Sequence, residues 1–168
     1  RIDDKLVSGW NGLAIGALAA TGARLGREEF VSAAVRAALA VEESNLADDG
    51  TLRRASLDEI LSGAPATLED YGALAQGLAV LAMATGRVAY AVEARRLVDL
   101  CWPTEEAAVV PGGRDTVLAA LGAPAVDDAD TDRPSGAASL AEASLTLWRL
   151  GAGERYRRRA GTIVAARA

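Results

Sequence analysis

Histidine is absent from the 168 residues. A Ser-His-Asp triad, a His-ligated metal and imidazole acid/base catalysis therefore cannot be built from this chain alone. Cys101 is the only cysteine, which excludes an intrachain disulfide, a CxxC redox pair and a structural zinc motif, and makes a reducing cytoplasm the default location. Aromatic residues make up only 4%, so few bulky anchors fill the interior. Lysine is nearly missing too, Lys5 being the only one among 18 basic residues. The net charge of −5 argues against nucleic acid as a partner, since phosphate binding needs clustered cations. No charged-then-apolar leader and no uncharged run of about 18 large apolar residues occurs, so neither secretion nor a membrane span is expected.

Two further absences bear on ligands. Gly112-Gly113-Arg114 has neither a P-loop nor a dinucleotide pattern around it. The acidic run Asp127-Asp128-Ala129-Asp130-Thr131-Asp132 lacks the glycine and terminal glutamate of a calcium loop and reads as a solvated loop. No cofactor and no metal site is expected.

What is present is a 51% hydrophobic chain rich in alanine and glycine, enough for one domain with a core of closely approaching helices. Helical periodicity runs almost throughout and strand alternation almost nowhere. It predicts helices over 9–25, 28–46, 68–85, 88–102, 135–150 and 153–167. Short glycine links, Leu25-Gly26-Arg27, Thr85-Gly86-Arg87 and Leu150-Gly151-Ala152-Gly153, join these into hairpins of about 9–46, 68–102 and 135–167. Longer segments, 47–67 and 103–134, separate the hairpins and read as loops.

Charge divides each hairpin. Asn11 to Ala23 and Tyr71 to Gly86 carry no charge, and Pro134 to Trp148 carries only Glu142. The second helices are charged: 27–46 holds Arg27, Glu28, Glu29, Arg36, Glu42 and Glu43, and 87–102 holds Arg87, Glu93, Arg95, Arg96 and Asp99. An uncharged helix is buried on all sides, and one with a polar face lies at the surface. Trp10, Tyr71 and Ser135 each open the first helix of a hairpin, at spacings that mark a repeat. The fold class expected is all-α, with an inner ring of helices wrapped by an outer one as in an (α/α) toroid. An ordinary bundle or an open α-solenoid is the plainer alternative. The basic run Arg155, Arg157, Arg158 and Arg159 reads as a solvated outer helix, or else as an anionic contact. Arg1 stands where an initiator Met is expected, directly before a dense motif, so the natural chain is expected to begin further upstream.

In a toroid the inner N-termini gather at one rim with the long loops. Three polar clusters fall there: Asp3-Asp4-Lys5 with Trp10-Asn11-Gly12, Glu69-Asp70-Tyr71, and Asp132-Arg133-Pro134-Ser135-Gly136. A polar pocket over the ring is expected. Each cluster also has a plain structural reading. Asp70 and Ser135 can cap their helices, Trp10 can be core, and Lys5 can pair with Asp3 or Asp4.

The string Asp3-Asp4-Lys5-Leu6-Val7-Ser8-Gly9-Trp10-Asn11-Gly12-Leu13 resembles the DDK-x-x-x-x-WNGL segment of the YyaL-like family, which includes the spermatogenesis-associated thioredoxin-domain protein. Leu68-Glu69-Asp70-Tyr71, with Gly77-Leu78 and Thr85-Gly86, is similar to a second segment of that family, and Pro134-Ser135-Gly136 to a third. Ala137 departs from the pattern, standing where many relatives carry Asn. The resemblance implies a six-hairpin, glycosidase-like toroid of which this chain is about half, attached to a thioredoxin-like domain. It implies Asp4 and Asp70 as candidate catalytic carboxylates, since glycoside chemistry divides acid and base work between two. Trp10 and Tyr71 would offer an aromatic platform, and Lys5, Asn11, Glu69 and Ser135 polar contacts to a sugar-like small molecule. The contrasting expectation is a non-catalytic scaffold that binds a protein or peptide. In either case the seams of a half-toroid are expected to meet the missing half or to drive self-association.

Overall fold

A computed structural model describes residues 4–58, 60–112, 120 and 134–166. Among the described residues the chain is all-α apart from one small sheet. The helices are α1 (Ser8–Leu25), α2 (Glu28–Asn45), α3 (Leu68–Thr85), α4 (Val88–Leu100), α5 (Gly136–Arg149) and α6 (Glu154–Ala165). Their ends lie within two residues of those the periodicity predicts. Helix α1 stops at Gly26 and α3 at Gly86, both in the left-handed region, with φ of 63° and 68°. There the glycine N–H bonds back to the carbonyl of Gly22 or Ala82, and a side chain at either position would be strained.

The helices form two layers. Helix α3 packs against α1 on one flank and α5 on the other, while α2, α4 and α6 each lie on the helix that precedes them. The contacts along α1 and α3 fix their direction. Gly9 lies against Asp70 and Gly16 against Gly77, both pairs 61 residues apart, so the two helices run parallel. Gly136 against Leu68 and Glu69, with Gly72 against Ser139 and Leu140, makes α5 parallel to α3 as well. The N-termini of α1, α3 and α5 therefore share one rim.

Small residues set this spacing. A β-carbon on Gly72 would stand 2.7 Å from the Leu140 nitrogen, and one on Gly136 2.5 Å from that of Glu69. On Gly12 it would run into the backbone of Ala73 and Leu74, and on Gly77 into that of Gly12. The alanine and glycine that dominate the apolar fraction thus let backbones touch, as the low aromatic content requires.

Two expectations need correction. The segment 47–67 is not simply loop, because Ala55–Leu57 (β2) and Ile60–Leu61 (β3) form an antiparallel sheet with Leu6–Val7 (β1), in the order β1-β2-β3. The first helices are also not equally buried. Helix α3 is enclosed along nearly its whole length, and α5 on most of its residues. Helix α1 buries one stripe, Ser8, Gly9, Gly12, Ile15, Ala19 and Gly22, and leaves Trp10, Ala14, Ala17, Thr21 and Leu25 exposed. The reason is position: among the described residues α3 has a first helix on each flank as well as α4 behind it, whereas α1 has α3 on one flank and α2 behind it.

Candidate functional site

The rim is organised around Asp70, which is 2% exposed. Thr67 caps α3, and Asp70 is the third residue of its first turn. The Thr67 backbone N–H donates to Asp70 Oδ2 at 2.8 Å, and the Asp70 N–H donates to Thr67 Oγ1 at 3.4 Å, completing a capping box. The Thr67 hydroxyl donates to the same carboxylate oxygen at 2.9 Å. The other oxygen, Oδ1, accepts the N–H of Gly9 at 3.0 Å, reaching across to the first turn of α1. Arg54, from the segment between the hairpins, approaches Oδ2 at 3.5 Å. One carboxylate thus starts α3, satisfies an otherwise orphan donor of α1, and holds the two helices in register.

The neighbouring candidates have similar posts. Tyr71 is not part of an exposed platform. Its ring is fully buried, and its hydroxyl accepts the Leu52 N–H at 3.0 Å, which ties the inter-hairpin segment to α3. Burial raises its hydroxyl pKa above the ordinary 10. Ser135 is buried rather than open to a ligand, and its Oγ caps α5 by accepting the Ala138 N–H at 3.2 Å. Asn11 is half-buried, and its amide donates back to the Val7 carbonyl at 2.8 Å. Glu69 is half-buried in the first turn of α3, where its charge complements the helix dipole.

Asp4, Lys5 and Trp10 differ from these. All three are exposed at the start of α1, and Trp10 is 58% accessible despite lying in the first turn of an uncharged helix. The structure thus separates the rim residues into a buried set that builds it and an exposed set that faces outward. Asp3, Asp132 and Arg133 lie outside the described residues, as does the acidic run from Asp127 to Asp132. Among the described residues no group of three or more acidic or sulfur side chains could hold a metal ion. No helix of the described chain is long and apolar enough to cross a membrane.

The chain matches no family model and no curated protein.

Several residues that build the rim are not evident in the motif reading. Ser8 donates to the Arg53 carbonyl at 2.7 Å and accepts from the Asn45 amide at 2.8 Å, and that amide also reaches the Leu6 carbonyl at 2.9 Å. These bonds join the start of α1, the end of α2 and the sheet. Thr67 did carry a signal: Thr67-Leu68-Glu69-Asp70 before an uncharged run has the spacing of a capping box. Ser8 and Asn45 carried none, because their partners lie 37 to 45 residues away.

The basic run near the C-terminal end also resolves. Arg159 is 4% exposed and donates to Asp99 at 2.6 Å and to Glu105 at 2.7 Å, while Arg155 reaches Asp99 at 3.2 Å. Tyr156 bonds the same Asp99 carboxylate at 3.0 Å. Two of the four arginines therefore tie α6 to α4 and the residues after it, and the anionic contact lies within the chain.

Proposed function

We propose that this chain is a non-catalytic scaffold module, three helical hairpins of a larger (α/α) toroid, whose motif residues serve packing and register. The supporting observation is the buried Asp70 carboxylate, with both oxygens engaged by Gly9 and Thr67. A catalytic carboxylate needs access to substrate, and this one is 2% exposed. Membership of the YyaL-like family and a thioredoxin-like companion domain belong to the same proposal and rest on the motif resemblance, while a cytoplasmic setting rests on the single cysteine.

The exposed flank of α1 is where such a module would meet its neighbour. Trp10, Ala14, Ala17, Thr21 and Leu25 recur at helical spacing and carry no charge. In the isolated chain that flank is expected to drive self-association. Light scattering at rising concentration, on the parent and on Ala14→Glu and Ala17→Glu, tests the idea. A parent that stays monomeric at high concentration removes the docking role.

One observation favours a second reading, a carbohydrate-like ligand at the rim. Trp10 is exposed in the first turn of α1, and Asp4 and Lys5 a few residues earlier are exposed too, residue types that can stack on a sugar face and bond its hydroxyls. A thermal-shift screen of sugars with the parent, Asp4→Asn and Trp10→Ala decides between the two. Binding that both substitutions abolish would establish the sugar site and displace the scaffold reading.

A further inference from the structure

Away from the rim, α4 carries a groove of about 420 Å³ lined by Val92, Arg95, Arg96, Asp99 and Leu100. Its volume falls within the range of small-molecule sites. Three of the lining side chains are charged, and their bonding differs. Arg96 is committed, since Nε and Nη2 bind Glu93 at 2.8 and 2.6 Å and Nη1 binds the Gly50 carbonyl at 2.7 Å. Asp99 is committed as well, since its two oxygens accept from Arg159, Arg155 and Tyr156 at 2.6 to 3.2 Å. An arriving ligand meets both charges already neutralised.

Arg95 is exposed, and among the described residues it has no hydrogen bond or ion pair. Among the described residues the groove therefore presents one uncompensated guanidinium. Beside it the wall is aliphatic: Val92, one turn earlier, is 50% exposed, and Leu100 is half-buried. A planar fork of N–H donors next to an aliphatic strip complements a molecule with an anionic head and a short apolar body. Among the described residues the groove walls hold no aromatic ring for a nucleobase to stack on. From this asymmetry of charge we infer that the α4 groove binds a small amphipathic organic anion, its carboxylate on Arg95 and its chain along Val92 and Leu100. The site is independent of the rim and of the scaffold proposal.

The probe is octanoate, with octanol as its neutral counterpart, titrated into the isotopically labelled chain while backbone amide shifts are followed. The expected result is saturable movement of amides in 92–100 with a dissociation constant on the order of millimolar, as suits about ten non-hydrogen atoms in an open groove. Octanol and the Arg95→Ala variant should each bind about tenfold more weakly. Arg36→Ala, an exposed arginine on α2, should bind like the parent. Arg95 is exposed, so its replacement leaves the fold intact. Any one of three results overturns the inference: no saturable shift, shifts centred outside 92–100, or equal binding by octanol or by Arg95→Ala. Saturation by an acidic peptide without saturation by octanoate also overturns it, and marks the groove as a protein contact.

Discussion

Asp70 shows how much of the rim one side chain carries. Its substitution by asparagine keeps the shape but puts an NH₂ group where a carboxylate oxygen now accepts from Gly9 or from Thr67. Donor then faces donor in a buried site. Asp70→Asn is expected to cost about 2–4 kcal/mol, mostly from the unsatisfied buried donors. The Arg54 contact adds little, being long and 41% exposed on the arginine side. Asp4→Asn, at an exposed position, should change stability by less than about 0.5 kcal/mol. Urea unfolding of both variants checks this, and equal midpoints would remove Asp70 from its structural post. Cys101 makes a second residue-scale case. It is fully buried, and burial pushes its thiol far above the ordinary cysteine range. Its native thiol should resist alkylation at pH 8 and react fully only in denaturant. Rapid native labelling would mean that the end of α4 opens readily.

Between helices, the decisive quantity is how closely backbones approach. Gly72→Ala would place a methyl 2.7 Å from the Leu140 nitrogen and 3.0 Å from the Gly136 carbonyl, and backbone cannot rotate aside. The change should cost about 2 kcal/mol or more and loosen α5 from α3. Gly161→Ala is the opposite case, since a β-carbon there meets nothing within 4 Å on an exposed stretch of α6. It should gain about 0.5–1 kcal/mol from helix propensity alone. Thermal melts of the pair give the sign of each effect directly. These glycines also explain what was legible beforehand. Hairpins could be read because the contrast between uncharged and charged helices is written in composition, and because Gly26 and Gly86 mark their turns. The sheet could not, because strands of two or three residues are too short to show alternation. Nor could the open flank of α1, because an uncharged helix reads the same whether one neighbour or two will cover it. At the rim, motif spacing placed Asp70, Tyr71 and Ser135 at helix starts but did not show which way they face. Tyr71 points inward because the Leu52 N–H needs an acceptor there, a demand arising 19 residues away.

At the scale of the whole molecule, the lack of histidine has a measurable consequence. With no imidazole to titrate, stability should be level between about pH 6 and 8. Both limbs have named causes. Hydrogen bonds from Arg159, Arg27 and Thr51 hold the carboxyls of Glu105, Glu29 and Asp49 below their ordinary values. Depressed carboxyls stabilise the fold above their unfolded pKa, and that contribution is lost as pH falls through the lower folded value. Glu42 works the other way, because desolvation raises its pKa, so its contribution is present at low pH and lost as pH rises through the folded value. Below about pH 4 the three lowered groups have given up their contribution while Glu42 retains its own. On the alkaline side, burial raises Cys101 far above the ordinary thiol value, and Tyr71 and Tyr156 above 10. Their contributions are complete below the ordinary thiol and phenol values and disappear as pH climbs through the raised ones, the thiol's starting first because its unfolded value is lower. Cys101 closes α4, and Tyr156 stands beside Arg159 and Asp99 in the tie between α4 and α6, so the alkaline limb should begin where α6 meets α4. Urea midpoints from pH 3 to 11, with hydrogen exchange of α6 amides at the upper end, test both limbs. A midpoint drifting through pH 6 to 8, or α1 opening before α6 in alkali, would assign control to groups other than these.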